Sequence, residues 1–253
     1  MPFNRLLPLI IPLLVLVLFE VFFFNPTMIY VTVVLINLFL FFTVWQFSRV
    51  SDTQKDWWNF LILPSLMTTA TAAYTTLLTN KLIIQLLFIF NIVLLYIYLK
   101  HIYYYLIRPQ AYQPFSIENI TSYGNFLTFF LVATTIYGFQ SFLSIQTWLL
   151  MIIIMLASVL TIYQIMWANK IDFNKGIIYL LISCLIIVEL SWSISFLPIN
   201  YNIAGLTIAI CYYMLIGLVR HFLLDKLDKK TIKLYLGFGF TSLFIILVTA
   251  RWL

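Results

Sequence analysis

Of the 253 residues, 64% are hydrophobic and only 9% charged, and the mean hydropathy is +1.05. No water-soluble domain could hide that much apolar surface, so soluble enzymes and disordered chains are excluded as classes and lipid is left as the solvent. The formal charge of +6 does not point to nucleic acid, because there is no soluble basic domain to carry such a contact.

A bilayer core of roughly 30 Å takes about 17 to 25 helical residues to cross. Nine apolar stretches meet that length: 6–24, 28–47, 57–78, 82–99, 120–139, 148–167, 176–196, 203–219 and 234–250. Their apolarity is continuous, whereas barrel strands alternate polar and apolar residues over about ten positions. The expected fold is all-α, a polytopic transmembrane bundle of nine helices filling residues 1–253 as one domain.

The first stretch follows Arg5 and ends in Phe22-Phe23-Phe24-Asn25-Pro26, without the small residues a signal peptidase needs. It is expected to remain as the first span. It contains Glu20, and the seventh stretch contains Glu189. A charge at mid-membrane costs about 2.5 to 3.5 kcal/mol on insertion scales, so both acids are expected to face the bundle interior. There they would serve a proton or cation relay or a counter-charge to a ligand, or sit protonated between helices, unless they lie near enough to the outer surface to reach water.

The third stretch carries the clearest side-chain pattern. At 100° per residue Ser65, Thr68, Thr69, Ala72, Thr75, Thr76 and Thr79 fall on one wedge, which either lets a neighbouring helix approach closely or lines a hydrated path. Pro64 leaves one carbonyl without its helical partner and bends the segment. After the fourth stretch, the connection from Lys100 to Asn119 begins with aromatic residues that continue the helix along the interface, until Pro109 and Pro114 break it. The fifth stretch repeats a polar stripe at Thr121, Asn125, Thr128 and Thr135. Gly205 with Ala209, and Gly237 with Thr241, have the four-residue spacing of close helix contacts. Cys184 and Cys211 both fall within spans and read as small packing residues.

Twelve of the fourteen basic residues occupy alternate connections: Arg5, then Arg49 and Lys55, Lys100 and Arg108, Lys170 and Lys175, and finally Arg220, Lys226, Lys229, Lys230 and Lys233. Lys81 and Arg251 alone lie on the opposite side. Basic residues in short loops resist translocation, so the amino terminus is expected in the cytoplasm and the carboxyl terminus outside. Short loops and an Ile, Asn, Lys, Tyr and Phe bias suggest a bacterial cytoplasmic membrane.

A shift of about 120 residues lays the second to fourth stretches over the sixth to eighth. Thr43-Val44-Trp45-Gln46 then faces Thr161-Ile162-Tyr163-Gln164, Asn80 faces Asn200, and Lys100-His101 faces Arg220-His221. A duplication is expected, with repeat A at 1–119, repeat B at 120–233 and an added helix at 234–253, both copies oriented alike. Under it Asp52 pairs with Asp172, and His101 with His221. Such pairs are the nearest approach to a divalent-metal site, and they also read as wetted loop ends, so neither a metal nor any other cofactor is expected. No two-His helix motif, Cys cluster or phosphate loop is present.

Nine helices in a four-plus-four-plus-one order, with acids in the second-to-third and sixth-to-seventh connections, resemble the UbiA-type prenyltransferases in topology. In that family two aspartate-rich motifs in those connections hold magnesium and a prenyl diphosphate. The resemblance implies a lipid-linked transferase with Asp52 and Asp56, spaced D-x-x-x-D, and Asp172 at the metals, though Gly176 stands where the second motif needs another acid. Three functions therefore enter the structural comparison: a small transport or membrane-assembly component, that transferase, and a non-catalytic subunit partnering another membrane protein. The bilayer is the one expected partner common to all.

Overall fold

Each of these spans must satisfy its own backbone hydrogen bonds, because hydrocarbon offers no partners, and helix is the result throughout. The computed structural model describes residues 2–51 and 56–250, which contain nine helices and no regular strand. In chain order they are α1 (Pro2–Phe24), α2 (Ile29–Val50), α3 (Asn59–Thr75), α4 (Lys81–Ile107), α5 (Ser116–Leu143), α6 (Thr147–Ala168), α7 (Phe173–Ile194), α8 (Tyr201–Leu223) and α9 (Lys229–Thr249). Eight are long and apolar enough to cross a membrane, so the chain is a multi-pass membrane protein.

The exception is α3, with 17 residues where the sequence suggested 22. Its ends tighten into three-residue turns, from Asp56 O to Asn59 N–H and from Thr75 O to Leu78 N–H. The rod therefore continues beyond both helix ends, while the regular α-helix stops at Thr75. In contrast α4 runs eight residues past the end of its apolar stretch at Leu99, as the aromatic run suggested, because Tyr103, Tyr104 and Ile107 continue its apolar surface until Pro109 opens a separate turn.

Helix ends are set by local chemistry. Asn80 and Asn200 cap α4 and α8, each side chain accepting a backbone N–H two residues on at 2.9 Å. Asp172 and Asp228 cap α7 and α9 likewise. At the end of α6, Lys170 takes a left-handed φ of 55° while Ile171 N–H reaches back to Met166 O, satisfying a carbonyl the helix leaves open. Asp225 does the same after α8, with Lys226 N–H on His221 O.

The chain divides into two compact units, Met1–Gly124 and Asn125–Leu253. In the first, α1 packs on α2 and α4, α2 on α3 and α4, and α3 on α4. Val15, Phe19, Leu40, Val44, Phe88 and Leu99 are wholly buried there. In the second, α6 packs on α7, α7 on α8, and α8 on α9. The latter part of α5 adds Phe129, Ala133 and Ile136 to the same core as Ile154, Ile187 and Ile208.

The units share a detail. Phe19 of α1 stacks on Phe88 of α4 at 4.7 Å with planes 9° apart, and Phe129 of α5 stacks on Tyr212 of α8 at 4.3 Å and 13°. Both offset pairs add about 0.5 to 1.5 kcal/mol beyond area burial.

Candidate functional site

The two intramembrane acids have different surroundings. Glu20 is half-buried on α1 and its Oε2 accepts a hydrogen bond from Gln85 Nε2 of α4 at 3.1 Å. Glu189 is exposed, against the expectation that it faces the interior. The buried line of α7 runs through Leu180, Cys184, Ile187, Ser191 and Ile194, and Glu189 lies about 200° around the helix from Ile187. It stands five residues before the end of α7, close enough to an interface for the carboxylate to reach water.

The hydroxyl face of α3 packs against other helices. Thr68 and Thr75 are buried and Ser65 and Thr69 half-buried, whereas Thr76 and Thr79 lie beyond the helix and are exposed, so the expected wedge is shortened at that end. Thr68, Thr75 and Thr76 each donate to a carbonyl three or four residues back. Thr69 Oγ1 accepts from Asn37 Nδ2 of α2 at 3.3 Å. Thr71, outside the wedge, is fully buried and accepts from Asn91 Nδ2 of α4 at 2.6 Å. The carbonyl that Pro64 orphans is that of Phe60, and Tyr98 of α4 donates its hydroxyl to it at 3.0 Å. Sequence reasoning did not single out Gln85, Asn91 or Tyr98, although lone amides in an apolar span are a visible signal.

In the second unit Asn125 Nδ2 donates to Thr161 O at 3.4 Å, tying α5 to α6, and Tyr137 OH donates to Ser191 O at 2.9 Å, tying α5 to α7. Thr121, Thr128 and Thr135 are buried too. Thr135 donates to Leu131 O four residues back, whereas the Thr121 and Thr128 hydroxyls are buried without a hydrogen-bond partner among the described residues.

The loop residues hold turns. Asp52, with Lys55 and Arg251, lies outside the described residues. Asp56 is exposed, has a left-handed φ of 68° and accepts Asn59 N–H on its backbone oxygen. Asp172 is the exposed cap of α7. His101 Nδ1 lies 2.7 Å from Ile97 O on its own helix. Tyr235 OH of α9 lies 3.5 Å from both Arg220 Nη2 and His221 Nε2, at the outer limit of hydrogen bonding. Two hydrogen bonds donated by Thr231, from its hydroxyl and its backbone N–H, hold the Asp228 carboxyl below its ordinary value of 3.8. Burial pushes the Tyr112 phenol up, where it accepts Ile117 N–H and donates to Glu118 in the α4–α5 connection.

The two small-residue pairs diverge. A Cβ at Gly205 would lie 2.7 Å from the backbone of Thr134, so α5 and α8 touch there and Ala209 is fully buried. At Gly237 a Cβ would meet nothing within 4 Å, and Gly237 and Thr241 are both exposed. Only 11% of the α9 span is buried, compared with 50% for α8.

Residues 16–249 match the model of a family described as protein of unknown function DUF5656. The chain belongs to the DUF5656 family. The match runs from within α1 to the last residue of α9, so the shared feature is the whole set of helices. No curated protein and no solved structure matches the chain.

Chemically, Asn37, Gln85, Asn91, Tyr98, Asn125 and Tyr137 tie helices together, while most hydroxyls inside the spans bond within their own helix. No group of three or more His, Cys, Asp or Glu that could hold a metal occurs among the described residues. Among the described residues, the Gly237 position on α9 leaves open space where a Cβ would meet nothing within 4 Å.

Proposed function

We propose that this protein is a membrane-assembly component that docks a transmembrane helix of another membrane protein on the Gly237 and Thr241 face of α9. That open face carries the reading. Without hydrophobic drive between helices in lipid, association depends on close backbone approach at small residues, and the pair at Gly205 shows how this chain uses such spacing internally. Interhelical use of Asn37, Gln85, Asn91, Tyr98 and Tyr137 favours this over a transport path, since a relay needs groups that can exchange protons with water. The alternation of basic connections supports a cytoplasmic amino terminus in a bacterial membrane. A duplicated four-helix unit followed by α9 is supported by the division at Gly124, the matched caps at Asn80 and Asn200 and the two stacked aromatic pairs.

The test places a photo-crosslinking residue at Phe240 or Phe244, both exposed on α9, in native membranes. A discrete adduct with one membrane polypeptide is expected, and Gly237→Ile should abolish it while leaving the fold intact. An adduct unchanged by Gly237→Ile would refute the docking face. Gradient-driven proton uptake in proteoliposomes, abolished by Glu20→Gln, would instead establish transport.

A further inference from the structure

Within the first unit, the start of α1 and the last turns of α4 enclose a cleft of about 330 Å3, within the range of small-ligand sites. Three cations line it, Arg5 from α1 and Lys100 and Arg108 from α4, and no carboxylate does among the described residues. Lys100 Nζ sits over the Tyr96 ring at 5.5 Å, so an aromatic face rather than an acid holds it in position. Like charges gathered in a concave, partly desolvated site repel one another unless an anion joins them. Beside Arg5, the α1 wall is apolar. Leu6 and Leu9 line it at about half exposure, and Leu13 continues the same exposed strip one turn further along α1.

A ligand that satisfies both walls is anionic at one end and hydrocarbon at the other. We propose that this cleft binds an anionic phospholipid, its phosphate between Arg5, Lys100 and Arg108 and its acyl chains along Leu6, Leu9 and Leu13. Arg supplies paired donors matched to phosphate oxygens, and Lys a mobile point charge. Tyr104, half-buried in the lining, places an amphipathic ring at headgroup depth. Basic pockets of this kind between helix ends bind lipid headgroups. The site is lined by residues of the first unit and none of α9, so it survives or falls independently of the docking face.

The experiment uses the full chain purified in detergent, with three probes: phosphatidylglycerol, phosphatidylcholine and inorganic phosphate. Bound lipid is counted by native mass spectrometry and protection read from the thermal midpoint. Phosphatidylglycerol should be retained and should raise the midpoint, while phosphatidylcholine and inorganic phosphate should do neither. Each lost cation near a lipid headgroup weakens binding about fivefold, so Arg5→Gln with Arg108→Gln should weaken phosphatidylglycerol retention roughly 30-fold. Lys229→Gln with Lys230→Gln, on the other unit, should not. Should the Arg pair fail to fold, Lys100→Gln alone carries the expected fivefold loss. Retention of phosphatidylglycerol by the Arg variant at wild-type level overturns the site. Equal protection by inorganic phosphate and by both lipids overturns the lipid assignment.

Discussion

Tyr98→Phe isolates one hydrogen bond with a cause readable in the sequence. Pro64 has no N–H, so the Phe60 carbonyl four residues earlier lacks its helical donor, and the Tyr98 hydroxyl, on a residue 2% exposed, supplies it at 3.0 Å. Phenylalanine keeps the ring and removes this donor. An unsatisfied buried acceptor costs about 1 to 3 kcal/mol in soluble cores, whereas interhelical hydrogen bonds in a membrane average about 0.6 with a maximum near 1.7. Tyr98 replaces the donor that Pro64 lacks, so the expected cost lies near the upper membrane figure, about 1.5 kcal/mol, or roughly tenfold in the folding equilibrium. In a Pro64→Ala background the residue 64 N–H can take over. The same Tyr98→Phe change should then cost under about 0.5 kcal/mol, a coupling of about 1 kcal/mol. Reversible unfolding in mixed SDS micelles, followed by circular dichroism, measures all four chains. Equal costs of Tyr98→Phe in both backgrounds would refute the account of Pro64.

Other changes separate the packing roles. Gly205→Ala should destabilise the fold by about 1 to 3 kcal/mol, since its methyl meets the Thr134 backbone, while Gly237→Ala, with open space, should be neutral or stabilise α9 by up to about 1 kcal/mol in the same micelle titration. Asn91→Leu removes the donor to Thr71, but Thr71 still donates to Met67 O at 2.8 Å, so a loss of about 0.6 kcal/mol is expected and more than about 1.7 would show that the amide holds more than this contact. Folding depresses the Asp228 carboxyl, so its support of α9 is complete above the unfolded value of 3.8 and fades as pH falls through the lower folded value. Hydrogen exchange at the Thr231 amide should accelerate only in that acid window, and Asp228→Ala should remove the dependence.

The basic residues at alternate connections and the proline breaks were legible in the sequence, because backbone satisfaction and charge placement are local requirements that hydrocarbon makes strict. The Asn and Asp caps were not singled out, although they too are a local signal. Residues such as Asn80 and Pro109 therefore mark helix ends wherever the helices pack. The use of each helix face was not legible. In water a polar stripe marks the exposed side, but lipid and protein interior are about equally apolar, so periodicity does not tell α7 to turn Glu189 outward or α3 to bury Thr71 as well as Thr68. Two pairs with the same spacing, Gly205 with Ala209 and Gly237 with Thr241, likewise look alike along the chain. Only the packed helices decide that one is closed against Thr134 while the other stays open, because close approach depends on what stands opposite.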